Sequence, residues 1–248
     1  MRRYTQLKQA VKKTVIVLIW IAIWQLLAVA ISNPVLLAGP YETVVALVSM
    51  LPTEEFLSSV ANTMIRIVLG FLSGGVLGFL LALAAYKAGL FEDFIKPLFT
   101  VIKSIPVASF IIIILLWAGS SYVAYFICAF IAMPILFFNV LTGLKACSRE
   151  LLQMADVFGM SFKRRIRYLF LPALKPHLKS AISLACGMSF RAGIAAEVIG
   201  QPLRSVGNGL YRAKIHLMTA EMFAWTLVAV VLAYLLELAV ARLLRRFL

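Results

Sequence analysis

The chain has 248 residues, of which 63% are hydrophobic and 14% are charged, and its formal net charge is +14 at pH 7. A soluble domain of this length would leave much of that apolar surface in water, so the composition excludes an ordinary soluble protein and indicates an integral membrane protein. The positive charge does not indicate nucleic-acid binding, because the basic residues cluster in loops and at the ends of apolar segments.

Six apolar segments are long enough to cross a bilayer, which takes roughly 20 residues. The first, residues 14–31, is longer than the apolar region of a secretory signal, so we predict an uncleaved span that follows a cytoplasmic amino-terminal stretch, residues 1–13. The other five spans cover residues 60–86, 95–117, 122–144, 179–199 and 221–240. We therefore predict an all-α polytopic protein with one transmembrane domain, residues 14–248, and both termini in the cytoplasm.

Glycine and proline give local detail. Gly70, Gly74 and Gly78 recur every four residues in the second span, and this spacing predicts close approach of a neighbouring helix. Pro40 predicts the start of a short amphipathic helix, residues 41–51, lying at the membrane surface. In the external segment, residues 200–220, Gly207 and Gly209 predict either a tight re-entrant bend or a plain loop.

The loop from residue 145 to residue 179 is the one long polar interruption. It holds eight Lys or Arg against only Glu150 and Asp156, which places it in the cytoplasm. Ser148 is suited to begin a short helix and Gly159 to end it. A second helix is predicted from Ser161 to about Pro172. The first helix carries one apolar stripe at helical spacing: Leu151, Met154, Ala155 and Phe158.

This loop resembles the EAA loop of the membrane subunits of binding-protein-dependent ABC importers. The family pattern is Glu-Ala-Ala, three residues, Gly, nine residues, then Ile-x-Leu-Pro. The matching positions are Gln153, Met154, Ala155, Gly159, Leu169, Leu171 and Pro172. The spacing agrees throughout, with Gln, Met and Leu in place of Glu, Ala and Ile. Residues 59–83 and 188–200 are similar to the nitrate, sulfonate and taurine branch of this family.

The resemblance implies a type I (MetI-like) permease fold in the bacterial inner membrane, with six transmembrane helices and a cytoplasmic coupling helix. It also implies cytoplasmic ABC ATPase subunits that carry ATP and Mg, an extracytoplasmic solute-binding protein, and a second copy of the chain or a homologue. The implied solute is a small oxyanion such as a sulfonate, taurine or nitrate, and the alternative is a pyrimidine-type vitamin precursor. The residues implied in ATPase coupling are Leu151, Gln153, Met154, Ala155, Phe158, Gly159, Leu171 and Pro172.

Three charged residues within or beside the spans are candidates for the substrate pathway: Arg66, Arg191 and Glu197. An arginine at the centre of a membrane helix costs about 2.5–3.5 kcal/mol or more, so each arginine needs a carboxylate partner, a route to the interface or a polar cavity. In a cavity, Arg191 could hold an oxyanion through two hydrogen bonds. Arg191 and Glu197 do not share a helical face, and we interpret Glu197 as ordering an external gate.

Catalytic and metal-binding motifs are absent from the sequence, which contains no Walker A, HExxH or GxSxG pattern. We therefore predict no enzymatic activity and no cofactor in this chain, with ATP hydrolysis in partner subunits. A membrane scaffold that recruits a cytoplasmic partner through the basic loop is the alternative function. Such a scaffold has no need for Gly159 and Leu171-Pro172 at the family spacing.

Overall fold

The computed structural model describes residues 2–247, which fold into eleven α-helices and one π-helical turn, without a strand in that range. The first six helices are α1 (Arg2–Ile31), α2 (Pro40–Met50), α3 (Glu54–Lys87), α4 (Gly89–Ser104), α5 (Val107–Ala118) and α6 (Ser120–Lys145). The remainder are α7 (Arg149–Val157), α8 (Phe162–Arg165), the π-helical turn Ile166–Phe170, α9 (Leu171–Gly200), α10 (Val206–Ile215) and α11 (Thr219–Phe247). The all-α polytopic fold predicted from the sequence is confirmed.

Five helical segments are long and apolar enough to cross a membrane, and the bent pair α4 and α5, counted as one span, makes a sixth. The axes of α4 and α5 differ by 104°. The predicted span over residues 95–117 is therefore divided between two helices and is not one straight helix. Pro106 has no N–H to donate and disfavours helical geometry at Ile105, whose backbone is extended at φ −71° and ψ 130°.

The core is built on close contact between α3 and α6. A Cβ atom added at Gly70, Gly74 or Gly78 would overlap a backbone carbonyl oxygen of α6, and the three oxygens belong to Tyr125, Ala129 and Met133. Because only hydrogen occupies these positions, the two backbones touch over two turns. The close approach predicted from the glycine spacing is confirmed.

Helix α9 packs against both α6 and α3. Gly143 of α6 lies against Leu174 and His177, and Gly193 of α9 lies against Cys128 and Ile67. Cys128, Cys147 and Cys186 are buried and free of disulfide bonds. Helices α3, α6 and α9 therefore form a three-helix centre around which the other elements are arranged.

The first two helices contact the outer half of this centre. Helix α2 begins at Pro40, as predicted, and packs against α11. The Trp24 indole N–H of α1 donates to the carbonyl of Ala38 at 3.0 Å, and its ring lies 5.4 Å from that of Phe223. The apolar window Thr14–Ile31 is otherwise not buried within the chain, so its surface is open to lipid or to another subunit.

The external segment predicted over residues 200–220 contains a helix, α10. The sequence predicts either a tight re-entrant bend or a plain loop at this position. Gly207 and Gly209 lie inside α10, where a Cβ atom would overlap Glu197 and the Trp225 ring respectively. The bend prediction is wrong because these glycines permit close packing and do not reverse the chain. Three non-glycine residues in left-handed backbone conformations occur in this segment: Gln201 (φ 50°), Arg204 (φ 51°) and Leu217 (φ 55°).

The contact between α3 and α6 predicts unequal effects of two neighbouring glycine substitutions. We expect Gly74→Ala to lower stability by about 1–3 kcal/mol, because the added methyl group must displace the α6 backbone. The measurement is the thermal unfolding midpoint in detergent.

Gly75→Ala is the matched control, since its added Cβ meets only Leu136 Cγ at 3.9 Å, an ordinary van der Waals contact. Equal midpoints for the two variants would contradict the proposed backbone contact.

Candidate functional site

The basic loop, residues 145–179, presents α7 as a separately capped helix. The Ser148 hydroxyl accepts a hydrogen bond from the Leu151 N–H at 3.3 Å, so the predicted amino-terminal cap is confirmed. Gly159 has φ +58°, and the Met160 N–H donates back to the Ala155 carbonyl at 2.8 Å, which closes the carboxyl end. Hydrogen bonds to its own backbone and to Ser148 lower the pKa of Glu150 in the first turn.

The predicted apolar stripe of α7 divides into two parts. Three of its members are exposed, with 44% of Leu151, 46% of Met154 and 78% of Phe158 accessible. Ala155 is only 1% accessible and turns inward. The chain itself therefore leaves an apolar patch of three large side chains uncovered on the cytoplasmic loop. Gln153, Leu171 and Pro172 are also exposed.

Arg165 holds α7 against the segment that follows it. Its Nε donates to the Met160 carbonyl at 2.9 Å, its NH2 donates to the Ala155 carbonyl at 3.4 Å, and its NH1 lies 2.5 Å from Asp156 Oδ1. The two carbonyls lie at the carboxyl end of α7, where a positive charge also interacts favourably with the helix dipole. Arg165 thus fixes the angle of α7 to α8.

The helix after the loop differs from the prediction. Ser161 does precede a short helix, α8, as predicted. Helical structure does not end near Pro172, however, because α9 begins at Leu171 and continues to Gly200. Pro172 lies in the first turn of α9, where a missing N–H costs no intrahelical bond. The π-helical turn Ile166–Phe170 joins α8 to α9, so the loop leads directly into a spanning helix.

A second polar contact joins the loop to α4. Lys145, at the end of α6, donates to Glu92 Oε2 at 2.5 Å, and Lys96 donates to Glu92 Oε1 at 3.0 Å. Glu92 is buried and lies 53 positions from Lys145 in the sequence. Sequence reasoning missed this contact. The adjacent Cys147 is buried, which raises the pKa of its thiol.

The three pathway candidates fall into two different environments. Arg191 lies on an exposed face of α9 and makes no ion pair with any side chain that the structure describes. Glu197 is completely buried, and its Oε1 lies 3.5 Å from Arg66 NH1. Arg191 and Glu197 thus do not share a face, as the spacing predicts, whereas Arg66 and Glu197 form a pair.

Glu197 belongs to a buried set of polar groups that we call the outer cluster: Thr63, Arg66, Glu197, and the N–H groups of Val206 and Gly207. The Thr63 hydroxyl donates to Glu197 Oε2 at 2.7 Å and accepts from the Val206 N–H at 3.0 Å. The Gly207 N–H donates to the same carboxylate oxygen at 3.2 Å. The cluster joins α3, α9 and α10. Thr63 was missed because nothing near it in the sequence indicates a partner 134 positions away.

The exposed face of α9 is continuous and bordered by a cavity. The accessible residues recur at helical spacing: Leu184, Met188, Arg191, Ala195 and Ile199. At its cytoplasmic half, Leu184 and Met188 line a cavity of about 230 Å³ beside the bend between α4 and α5. Two polar side chains, Lys103 and Asn139, line the same cavity, and the Lys103 ammonium lies 4.8 Å from the centre of the Phe138 ring. Sequence reasoning missed this cavity because its position depends on the 104° bend.

Metal binding finds no support among the side chains that the structure describes, since they contain no group of three or more His, Cys, Asp or Glu placed to hold an ion. Helix α9 begins where the loop that carries the exposed patch of α7 ends, and it continues to the buried polar cluster at Glu197. It carries Arg191 between these two regions.

Residues 74–248 match the family described as "Binding-protein-dependent transport system inner membrane component". The chain belongs to this family. It is therefore an inner-membrane permease component, and the interpretation of the basic loop as an EAA-type segment agrees with that membership.

Two relatives and one solved structure are similar to this permease. It is similar to the taurine transport system permease protein TauC of Escherichia coli (strain K12), with 20% identity over 94% of this chain and 85% of TauC. It is 27% identical to the formylaminopyrimidine transport permease protein ThiX of Halalkalibacterium halodurans over 77% of each chain. Its fold matches a chain of the MetNI methionine ABC transporter, with TM-score 0.63 and 18% identity over 77% of this chain and 95% of that one.

The contacts of Arg165 predict that α7 loosens without this side chain. We expect Arg165→Gln to raise amide hydrogen exchange in residues 149–160 about tenfold, because charged hydrogen bonds worth about 1.5–3 kcal/mol are lost. Hydrogen exchange read by mass spectrometry measures this change.

Arg164→Gln makes the same chemical change at an exposed neighbour in the same loop and should leave exchange unaltered. Similar exchange in both variants would show that Arg165 does not hold α7.

Proposed function

We propose that two copies of this permease, or one copy with a homologue, form a translocation pathway for a small organic anion. ATPase subunits dock on α7 from the cytoplasm, and an external solute-binding protein delivers the solute. The observation that carries the proposal is the exposed face of α9, which places an unpaired arginine on an otherwise apolar surface.

The position of Arg191 favours a pathway over a lipid-facing surface. An arginine facing hydrocarbon without a partner is costly, and Arg191 lies nine residues before the carboxyl end of α9, inside the spanning part of the helix. A water-filled cavity between two subunits removes that cost. Small residues and apolar side chains flank the arginine on the same face, so its charge dominates the local field.

The cavity beside the α4–α5 bend extends this face toward the cytoplasm. Its apolar lining and its two polar side chains suit a molecule with a short carbon skeleton and one anionic group. Lys103 and Arg191 supply positive charge at two positions along the proposed translocation pathway. The relative that transports taurine supports a sulfonate, and the relative that transports formylaminopyrimidine supports a pyrimidine as the second candidate.

The exposed patch of Leu151, Met154 and Phe158 supports docking of an ATPase. A short helix that offers apolar side chains at positions i, i+3 and i+7 fits a groove on a partner. Lys163 and Arg164 beside the patch are exposed and suit an acidic rim. Movement of α7 reaches the spanning region through α9, which starts at the end of the same loop.

The external side offers a surface for the solute-binding protein. A cavity of about 410 Å³ lies between α3, α10 and α11, with Glu55 and Arg212 paired at its rim and His216 and Glu221 nearby. Charges of both signs around an apolar floor of Phe56 and Trp225 are typical of a surface that binds another protein. This surface lies on the same helix, α10, that the outer cluster attaches to α9.

The docking proposal predicts that one charge on the patch prevents assembly. We expect Phe158→Asp to abolish co-purification of the ATPase, because a buried unpaired carboxylate in an apolar groove is strongly unfavourable. Affinity purification of the permease followed by quantification of the ATPase measures this.

Phe162→Asp is the matched control, since Phe162 is 68% accessible in the same loop but lies outside α7. It should retain the ATPase. An intact complex in the Phe158 variant would refute docking at this patch and would favour the scaffold alternative, in which other basic-loop residues recruit the partner.

The pathway proposal predicts a charge requirement at Arg191. We expect Arg191→Ala to reduce taurine uptake into proteoliposomes at least about tenfold, since a charged hydrogen bond to the solute is lost. Arg191→Lys should retain part of the rate because it keeps the charge without the paired donors.

Arg242→Ala removes an exposed arginine near the end of α11 and serves as the control. Undiminished uptake in Arg191→Ala would remove this residue from the pathway. Formylaminopyrimidine uptake that is insensitive to Arg191, with no taurine uptake in the unaltered protein, would favour the second candidate solute.

A further inference from the structure

The outer cluster supplies the amino-terminal cap of α10 from two other helices. The N–H groups of the first two residues of α10 donate to Thr63 of α3 and to Glu197 of α9, and the third, Asn208, donates to Ser205 Oγ at 3.0 Å. Two of the four N–H groups that a helix start leaves without an intrahelical partner are therefore bound by spanning helices. The positive end of the α10 dipole also faces a buried carboxylate.

Within the outer cluster, Thr63 supplies hydrogen bonds and Arg66 supplies positive charge. Thr63 uses its hydroxyl fully, as donor to Glu197 and as acceptor from Val206. Arg66 NH1 and Glu197 Oε1 lie 3.5 Å apart, and neither atom has a hydrogen-bond partner within the described part of the chain. Arg66 therefore stabilises the carboxylate by charge, whereas Thr63 and Glu197 fix where α10 sits.

Packing leaves no room for α10 to shift on α9. Gly207 is buried, and a Cβ atom there would overlap the Cβ of Glu197 and the backbone nitrogen of Val198. Gly209 is equally close to the Trp225 ring of α11. The external helix is thus attached by hydrogen bonds at its amino end and by backbone contact along its first turn.

Helix α9 carries this attachment to the other side of the membrane. It runs without a break from Leu171, where the cytoplasmic loop ends, to Gly200, three residues after Glu197. The same helix carries Arg191 on its opposite face. A tilt or rotation of α9 that starts at the coupling loop must either carry α10 with it or break buried hydrogen bonds, which is costly.

We propose that Thr63 and Glu197 are positioning residues that make α10 move as one body with α3 and α9 during transport. Nucleotide-driven motion at α7 then changes the external surface where the solute-binding protein docks, and docking acts back on the ATPase through the same contacts. The inference rests on the proposed function, because it requires an ATPase on the cytoplasmic loop.

The test follows α10 with a single reactive cysteine in the assembled complex. Asn208→Cys introduces the thiol in the first turn of α10, and the three native cysteines are buried. The permease with its ATPase is placed in lipid nanodiscs, which leave both faces open to reagents, and labelling by a hydrophilic maleimide is timed without nucleotide and with ATP and vanadate. We expect the labelling rate to change between these states, and Thr63→Val to reduce that change at least about fivefold.

Two further variants separate positioning from a loss of folding. Thr63→Ser keeps the hydroxyl and should restore the nucleotide-dependent change. Thr226→Val makes the same substitution where the hydroxyl bonds only to its own helix, at the Met222 carbonyl, and should behave as the unaltered protein. Without nucleotide, Thr63→Val should label faster than Thr226→Val because α10 is less firmly held.

Each outcome decides between the proposals. A full nucleotide response in Thr63→Val overturns the positioning role, as does a complex that hydrolyses ATP while position 208 never responds. If no ATPase assembles on the permease, the proposed function fails. In that case the nucleotide-free labelling rates still test whether Thr63 holds α10, and equal rates in Thr63→Val and Thr226→Val contradict it.

Discussion

Backbone contact between α3 and α6 is the constraint on which the rest of the structure depends. Three glycines of α3 meet three carbonyl oxygens of α6, so the separation of the two helices is set by main-chain atoms. In a bilayer, apolar side chains gain little by leaving lipid for protein, and close packing of this kind supplies much of the association energy. With α3 and α6 fixed, Ile67 and Cys128 together form the surface that receives Gly193 of α9. The position of α9 therefore depends on the contact between α3 and α6, which together form the surface it packs against.

Because of how α9 packs, two of its charged residues have opposite environments: Glu197 is buried and Arg191 is exposed. Glu197 faces α3, where Thr63 and Arg66 satisfy or compensate its charge. Arg191, six residues earlier, faces away from the packed centre and meets no acidic partner among the described side chains. A buried carboxylate requires fixed donors and a nearby cation, while an arginine that binds a solute must be free to exchange partners. The packing of one helix thus buries Glu197 and leaves Arg191 exposed.

The sequence predicts most of the helices and the cytoplasmic helix α7, because these depend on local periodicity and on caps such as Ser148 and Gly159. It also predicts the glycine contact, since a four-residue spacing has one main physical use in a membrane helix. It fails at Pro106, where the predicted span over residues 95–117 contains a 104° bend. It fails again at Gly207 and Gly209, because local sequence does not separate a glycine needed for a turn from one needed for close packing. The contacts Thr63–Glu197 and Lys145–Glu92 join residues 134 and 53 positions apart, and only the tertiary fold brings them together.

The cavity at the Pro106 bend and the outer cluster both contact the same helix, α9, on opposite sides of Arg191. The bend opens a cavity whose wall includes Leu184 and Met188, on the cytoplasmic side of Arg191. The outer cluster holds α9 at Glu197, on the external side of Arg191. An α9 that moves as one body cannot change one of these regions without changing the other, because no break occurs between Leu171 and Gly200. The cavity beside the bend and the outer cluster are therefore linked by the continuity of a single helix, and Arg191 lies between them on that helix.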